Sequence, residues 1–184
     1  MTKFSSTRTY WVPLVLIIAF LLDGVISSVF SPWFIDGGNI LTPRLVVVTL
    51  IIFSFFIENN SMWKLALVTG FIYDAYYTNY LGVYMASFTI IARLIMIFKP
   101  RMRINAFTVG LSMIFLLAFV EIFVYLFYII MGLSNLSWSV FIAQRLVPTV
   151  ILNIVLYYVI YLPIRNLSLW INGENNYLKN KRYR

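Results

Sequence analysis

The sequence predicts an all-α polytopic membrane protein with six transmembrane helices and both termini in the cytoplasm. Three observations predict it. The 184-residue chain is 62% hydrophobic and only 11% charged, with a mean hydropathy of +0.90, whereas a soluble domain is nearer half apolar and about a quarter charged. Its apolar residues gather into runs close to the roughly 17–25 residues that cross a bilayer. Its Lys and Arg residues collect mostly at the termini and in one loop, as cytoplasmic segments facing anionic lipid do.

The first run, 10–30, is interrupted only by Asp23. Lys3 and Arg8 precede it, but it is long and has no small-x-small site before Pro32, so it is expected to remain as a span and not to be removed as a signal peptide. The segment 31–42 carries Pro32, Asp36, Gly37 and Gly38 and predicts a turn-rich connection. The second span, 43–57, is short and closes at Glu58-Asn59-Asn60-Ser61; the third, 62–77, is short as well. The fourth, 81–98, is followed by Lys99-Pro100-Arg101-Met102-Arg103. The fifth, 106–131, is long enough to tilt. The sixth, 145–163, is expected to end at Pro163. A single membrane domain, 1–163, and a basic cytoplasmic tail, 164–184, follow. Should the two short segments form a re-entrant pair, four spans would leave the termini on the same side.

The basic residues set the orientation. Lys3, Arg8, Lys64, the 99–103 loop, Lys179, Lys181, Arg182 and Arg184 are expected inside. The segments 31–42 and 132–144 contain no Lys or Arg and are expected outside. Arg44 and Arg145, at the outer ends of their spans, break the pattern. The formal charge of +8 therefore reflects topology and not nucleic-acid binding. The chain has no Cys and no His, which removes thiol and imidazole chemistry and nearly all zinc, haem and iron–sulfur sites. No metal or cofactor is expected.

An acid in lipid costs about 3 kcal/mol or more unless it has a partner or reaches water. Asp23 and Asp74 each fall roughly 18–20 Å from the cytoplasmic ends of their helices, at about 1.5 Å per residue. Three readings stand: polar contacts between helices, direct contact with a partner, or a shared-proton pair that activates water. Tyr73-Asp74 is similar to the Tyr-Asp motif of intramembrane aspartyl proteases, but their Gly-x-Gly-Asp motif is missing, since Asp23 stands in Leu22-Asp23-Gly24. Glu121 and Arg145 both lie toward the outer leaflet and are expected to pair, with snorkelling as the alternative for Arg93 and Arg145. Gly70 and Gly82 fit close helix approach or a turn. Tyr10, Trp11, Trp33, Trp63, Trp138 and Trp170 fall near predicted span ends and are expected to form an aromatic belt.

Gly70-Phe71-Ile72-Tyr73-Asp74, then a polar turn and Leu81-Gly82, resembles the glycine–acid–glycine signature of the rod shape-determining protein MreD family. Thr42-Pro43 opening an apolar span resembles that family's second helix. Pro148-Thr149 through Asn153, followed by Tyr161-Leu162-Pro163, resembles its last helix, which makes Pro148 and Asn153 structural candidates. The turn Tyr76-Tyr77-Thr78-Asn79 is bulkier than the small-residue turn of the family. The resemblance implies a non-catalytic scaffold of the cell-wall elongation machinery. It would bind an MreC-like single-span protein and position peptidoglycan synthesis by a glycosyltransferase and a transpeptidase, with the actin-like MreB in rods. Gly70, Asp74 and Gly82 are the positions that match. The alternative is the substrate-binding subunit of an energy-coupling-factor vitamin transporter, in which Asp23, Asp74 and Glu121 would line an outward cavity. Its Ala-x-x-x-Ala contact motif is absent from the first span, where Ala19 stands alone.

Overall fold

The computed structural model describes residues 10–34, 38–57, 61–78 and 80–172. Lys3, Arg8, Asp36, Glu58, Asn59, Asn60, Asn79 and the basic residues after 172 lie outside the described residues. The described chain is all-helical, with six main helices: α1 Trp11–Val29, α2 Leu45–Phe56, α3 Met62–Tyr77, α4 Val83–Phe98, α5 Ala106–Ile130 and α6 Val147–Asn172. Short helical turns at Ser31–Phe34 and Trp138–Phe141 and a 3₁₀ turn at Lys99–Arg101 sit in the connections.

Four helical stretches are long and apolar enough to cross a membrane: Trp11–Val29, Val83–Arg101, Ala106–Ile130 and Trp138–Asn172. Their outward faces are apolar, unlike those of a soluble bundle. On α1 the buried stripe is Val12, Leu16, Ala19 and Asp23, at helical spacing, while Leu14, Ile17, Ile18, Leu21 and Val25 point outward into lipid. On α6 the inward stripe is Thr149, Asn153, Tyr157 and Tyr161, and Val147, Ile151, Val155 and Val159 are exposed. A polytopic membrane protein has this arrangement, because lipid, unlike water, accepts the apolar face.

Helix α2 is the centre. All 12 of its residues are buried, as expected of a helix apolar on every side, and it packs against α1, α4, α5 and α6. At about 1.5 Å per residue it is about 18 Å long, well short of the roughly 30 Å hydrocarbon core. Its end groups must therefore find partners inside the protein.

Helix α6 differs from expectation. It does not end at Pro163 but continues to Asn172, so the first part of the predicted tail is helix. Packing overrides the lost backbone bond: Ser168 and Ile171 are buried, Asn172 Nδ2 donates to Phe56 O at 2.6 Å, and Trp170 meets Trp11 edge-on. The helical path also begins earlier than 145, through π-helical Ile142–Leu146. Pro148 lies just beyond and has no N–H to give the Gln144 carbonyl. That carbonyl accepts from Ile40 N at 2.7 Å instead, which ties the segment before α2 to α6.

Candidate functional site

Gly70, Asp74 and Gly82 form one device that joins α3 to α4. The Asp74 carboxylate is fully buried and caps the start of α4. It accepts from Gly82 N at 2.8 Å, Tyr84 N at 2.9 Å and Met85 N at 3.1 Å, and so satisfies three amides that a helix start leaves without internal partners. An anion there is also favoured by the helix dipole. Gly82 enters the helix with φ +111°, a conformation that costs L-residues with side chains about 1–2 kcal/mol. Gly70 faces the same turn: a Cβ there would come within 2.5 Å of Met85 Cα and 2.7 Å of Tyr84 O. Only a glycine lets α3 approach closely enough for Asp74 to reach the amides. The bulky turn packs onto α1, where Tyr77 donates to Phe20 O at 2.9 Å, and a Cβ at Gly24 would strike the Tyr77 hydroxyl.

Asp23 performs the same task for α2. Its oxygens accept from Leu45 N at 2.6 Å and Val46 N at 3.1 Å. At the other end of α2, Lys99 Nζ donates to Ser54 O at 3.3 Å and Ile57 O at 3.0 Å. The short central helix thus has a carboxyl group accepting at its amide end and an ammonium donating at its carbonyl end, each from a different helix or turn. The two aspartates cap different helices, and no contact joins them among the described residues.

Beside the start of α2 lies a buried ion cluster. Glu121, on α5 and fully buried, accepts from Arg44 Nε at 2.8 Å and from Arg145 Nε at 3.2 Å. Arg44 is 4% exposed. It donates from Nη1 to the Tyr73 hydroxyl at 2.8 Å and lies over the Tyr84 ring at 5.1 Å. Its backbone N–H donates to Asn153 Oδ1 at 2.8 Å, and Asn153 Nδ2 donates to Thr42 O at 2.9 Å. Thr149 accepts from Thr42 N and donates to Ile40 O. Thr149 and Asn153 therefore form a strip on α6 that holds the segment leading into α2.

The structure brings the expected Glu121–Arg145 pair together and adds Arg44, which the sequence marked only as a basic residue on the wrong side. Thr149 and Lys99 were likewise not singled out. The motif Pro-Thr-x-x-x-Asn was the available signal for Thr149, since residues four apart share a helix face. Arg93 is remote from the cluster: its guanidinium stacks on the Trp63 ring at 4.2 Å, so one belt tryptophan holds α4 to α3 by a cation–π contact. Next to the cluster is a cavity of about 800 Å³ lined by Asp23, Arg44, Tyr73 and Arg145 among others. Asp74 and Glu121 do not line it, unlike the three-acid lining of the transporter reading.

A family model for the rod shape-determining protein MreD matches residues 7–169. The chain is 27% identical over 167 residues to "Rod shape-determining protein MreD" of Bacillus subtilis (strain 168), covering 91% of this chain and 97% of that protein. It is 34% identical over 86 residues to "Cell shape-determining protein MreD" of Streptococcus pneumoniae (strain ATCC BAA-255 / R6), covering 47% of this chain and 52% of that one. No solved structure matches at a significant level.

Proposed function

The chain belongs to the rod shape-determining protein MreD family, and from that premise we propose that it is a membrane scaffold that binds an MreC-like single-span protein and helps position peptidoglycan synthesis. The family match over 7–169 carries this reading. Further members of the proposed assembly are the glycosyltransferase and transpeptidase of wall synthesis and, in rods, MreB. The role is non-catalytic. Asp23 and Asp74 are each engaged by backbone amides, which argues against their sharing a proton to activate water. Gly70, Asp74, Gly82, Asp23, Glu121, Arg145 and Asn153 contribute by fixing the shape of the bundle that a partner helix meets; Arg93 does so from the opposite end of α4.

Co-purification from native membranes tests the proposal. A tagged chain should retain a single-span coiled-coil protein and wall synthases, and Asp74→Asn, where it still inserts, should retain less. Recovery of a paired ATPase module and its membrane coupling subunit in their place would point to a transporter component.

The proposed topology has six passes with both termini inside. Supporting it, Trp11 meets Trp170, Lys99 meets the end of α2 and Asn172 meets Phe56, all at one end of the bundle. Because the chain has no native cysteine, single cysteines at Asn39 and Ser137 should react with an impermeant maleimide from outside intact cells, and one at Ser61 should not. External labelling at Ser61 would leave four passes.

A further inference from the structure

We propose that the cavity beside the ion cluster is a binding site for the phosphate-bearing headgroup of an anionic membrane lipid, with Arg145 as its principal contact. Its volume of about 800 Å³ lies within the roughly 300–1,000 Å³ of small-ligand pockets. The donors and acceptors on its floor and in the ion cluster behind it are unbalanced. Both Glu121 oxygens are held by guanidinium groups, at 2.8 and 3.2 Å, and both Asp23 oxygens by backbone amides. Each of these carboxylate oxygens therefore already has a protein donor.

The guanidinium groups are differently placed. Arg44 is buried and engages through Nε and Nη1. Arg145 engages Glu121 through Nε alone, its side chain is 31% exposed, and it lines the cavity. Its two Nη groups have no protein partner among the described residues. A planar fork of such donors matches the oxygens of a phosphate or a carboxylate. Ser27 adds a hydroxyl for the headgroup, and Val124 and Leu136 add apolar surface for the glycerol and chain ends beyond it. A freely hydrated anion gains nothing from that apolar wall, whereas an amphiphile does. The cavity lies at the end of the bundle proposed above to face outward.

The test is native mass spectrometry of the full chain in mild detergent, titrated with phosphatidylglycerol and, separately, with inorganic phosphate. One phosphatidylglycerol per chain should be retained, and millimolar phosphate should leave it bound. Arg145→Gln should weaken retention about tenfold or more. Ser27→Phe, which fills the cavity without touching the ion cluster, should do the same. Displacement of the lipid by millimolar phosphate would assign the site to a free anion and overturn the lipid. Equal retention by the wild-type chain and both variants would mean general headgroup contact and overturn the site. No partner protein enters the assay, so its outcome is independent of the scaffold reading.

Discussion

Replacing Glu121 with Gln is expected to destabilise the protein by about 3–5 kcal/mol, the usual penalty for removing one member of a buried ion pair. The carboxylate is fully buried between two arginines. Without it, Arg44, which is 4% exposed, keeps its charge with a neutral amide in the carboxylate's place, beside the Tyr73 hydroxyl and the Tyr84 ring. A chain of this size should show a melting temperature in detergent lower by roughly 6–20 °C. Two comparisons separate charge from packing. Arg145→Gln removes a partly exposed partner, and its loss should stay near or below about 1 kcal/mol. The double variant with Arg44→Met should be more stable than Glu121→Gln alone, because the stranded charge has gone. Wild-type melting of Glu121→Gln would mean that the cluster does not hold α2, α5 and α6 together.

The second large effect is expected at Gly70. Gly70→Leu should cost at least about 3 kcal/mol, as the overpacking penalty of about 1–3 kcal/mol is joined by loss of amide–carboxylate bonds worth about 1.5–3 kcal/mol apiece. The contacts a side chain would meet are backbone atoms of Tyr84 and Met85, which cannot swing aside as a flexible side chain would. Phe71→Leu, one residue along and 47% exposed, is the lipid-facing control and should melt as wild type. Gly82 provides the conformational contrast. Nothing lies within 4 Å of a Cβ there, so Gly82→Val should lose only the cost of its positive φ, about 1–2 kcal/mol, and Gly82→Asn less. A melt in which Gly70→Leu and Phe71→Leu behave alike would remove close approach as the purpose of Gly70.

The apolar runs made the six helices legible, and the cost of ionisable groups in lipid pointed to Asp23, Asp74, Glu121 and Arg145. What those groups do was less legible. Asp23 caps a helix that starts 22 residues later, and Asp74 one whose amides lie 8–11 residues on. A helix capped from another element carries no local sequence signature, unlike the Ser or Asp that precedes its own helix. Arg44 was marked only as a basic residue on the wrong side, because charge counting assigns sides and not partners; its partner Glu121 lies 77 residues away. Pro163 was over-weighted: in a helix whose later turns pack on Phe56 and Trp11, one missing amide does not end it. The turn before α6 was invisible for the opposite reason, since the Gln144 carbonyl that Pro148 leaves without an amide partner acts through the distant Ile40.

The two-ended capping of α2 also constrains how the protein is made. Of the groups that hold this helix, Asp23 is synthesised before it, Lys99 well after it, and Asn153 and Asn172 at the end of the chain. Emerging from the ribosome, α2 is too short to rest stably across a bilayer, and its terminal amides and carbonyls have no complete set of partners until the last helix arrives. The first helix can be threaded into the membrane as it appears, but the centre of the bundle closes only once α6 has been made. A chain cut short before α6 would leave an open-ended helix in lipid.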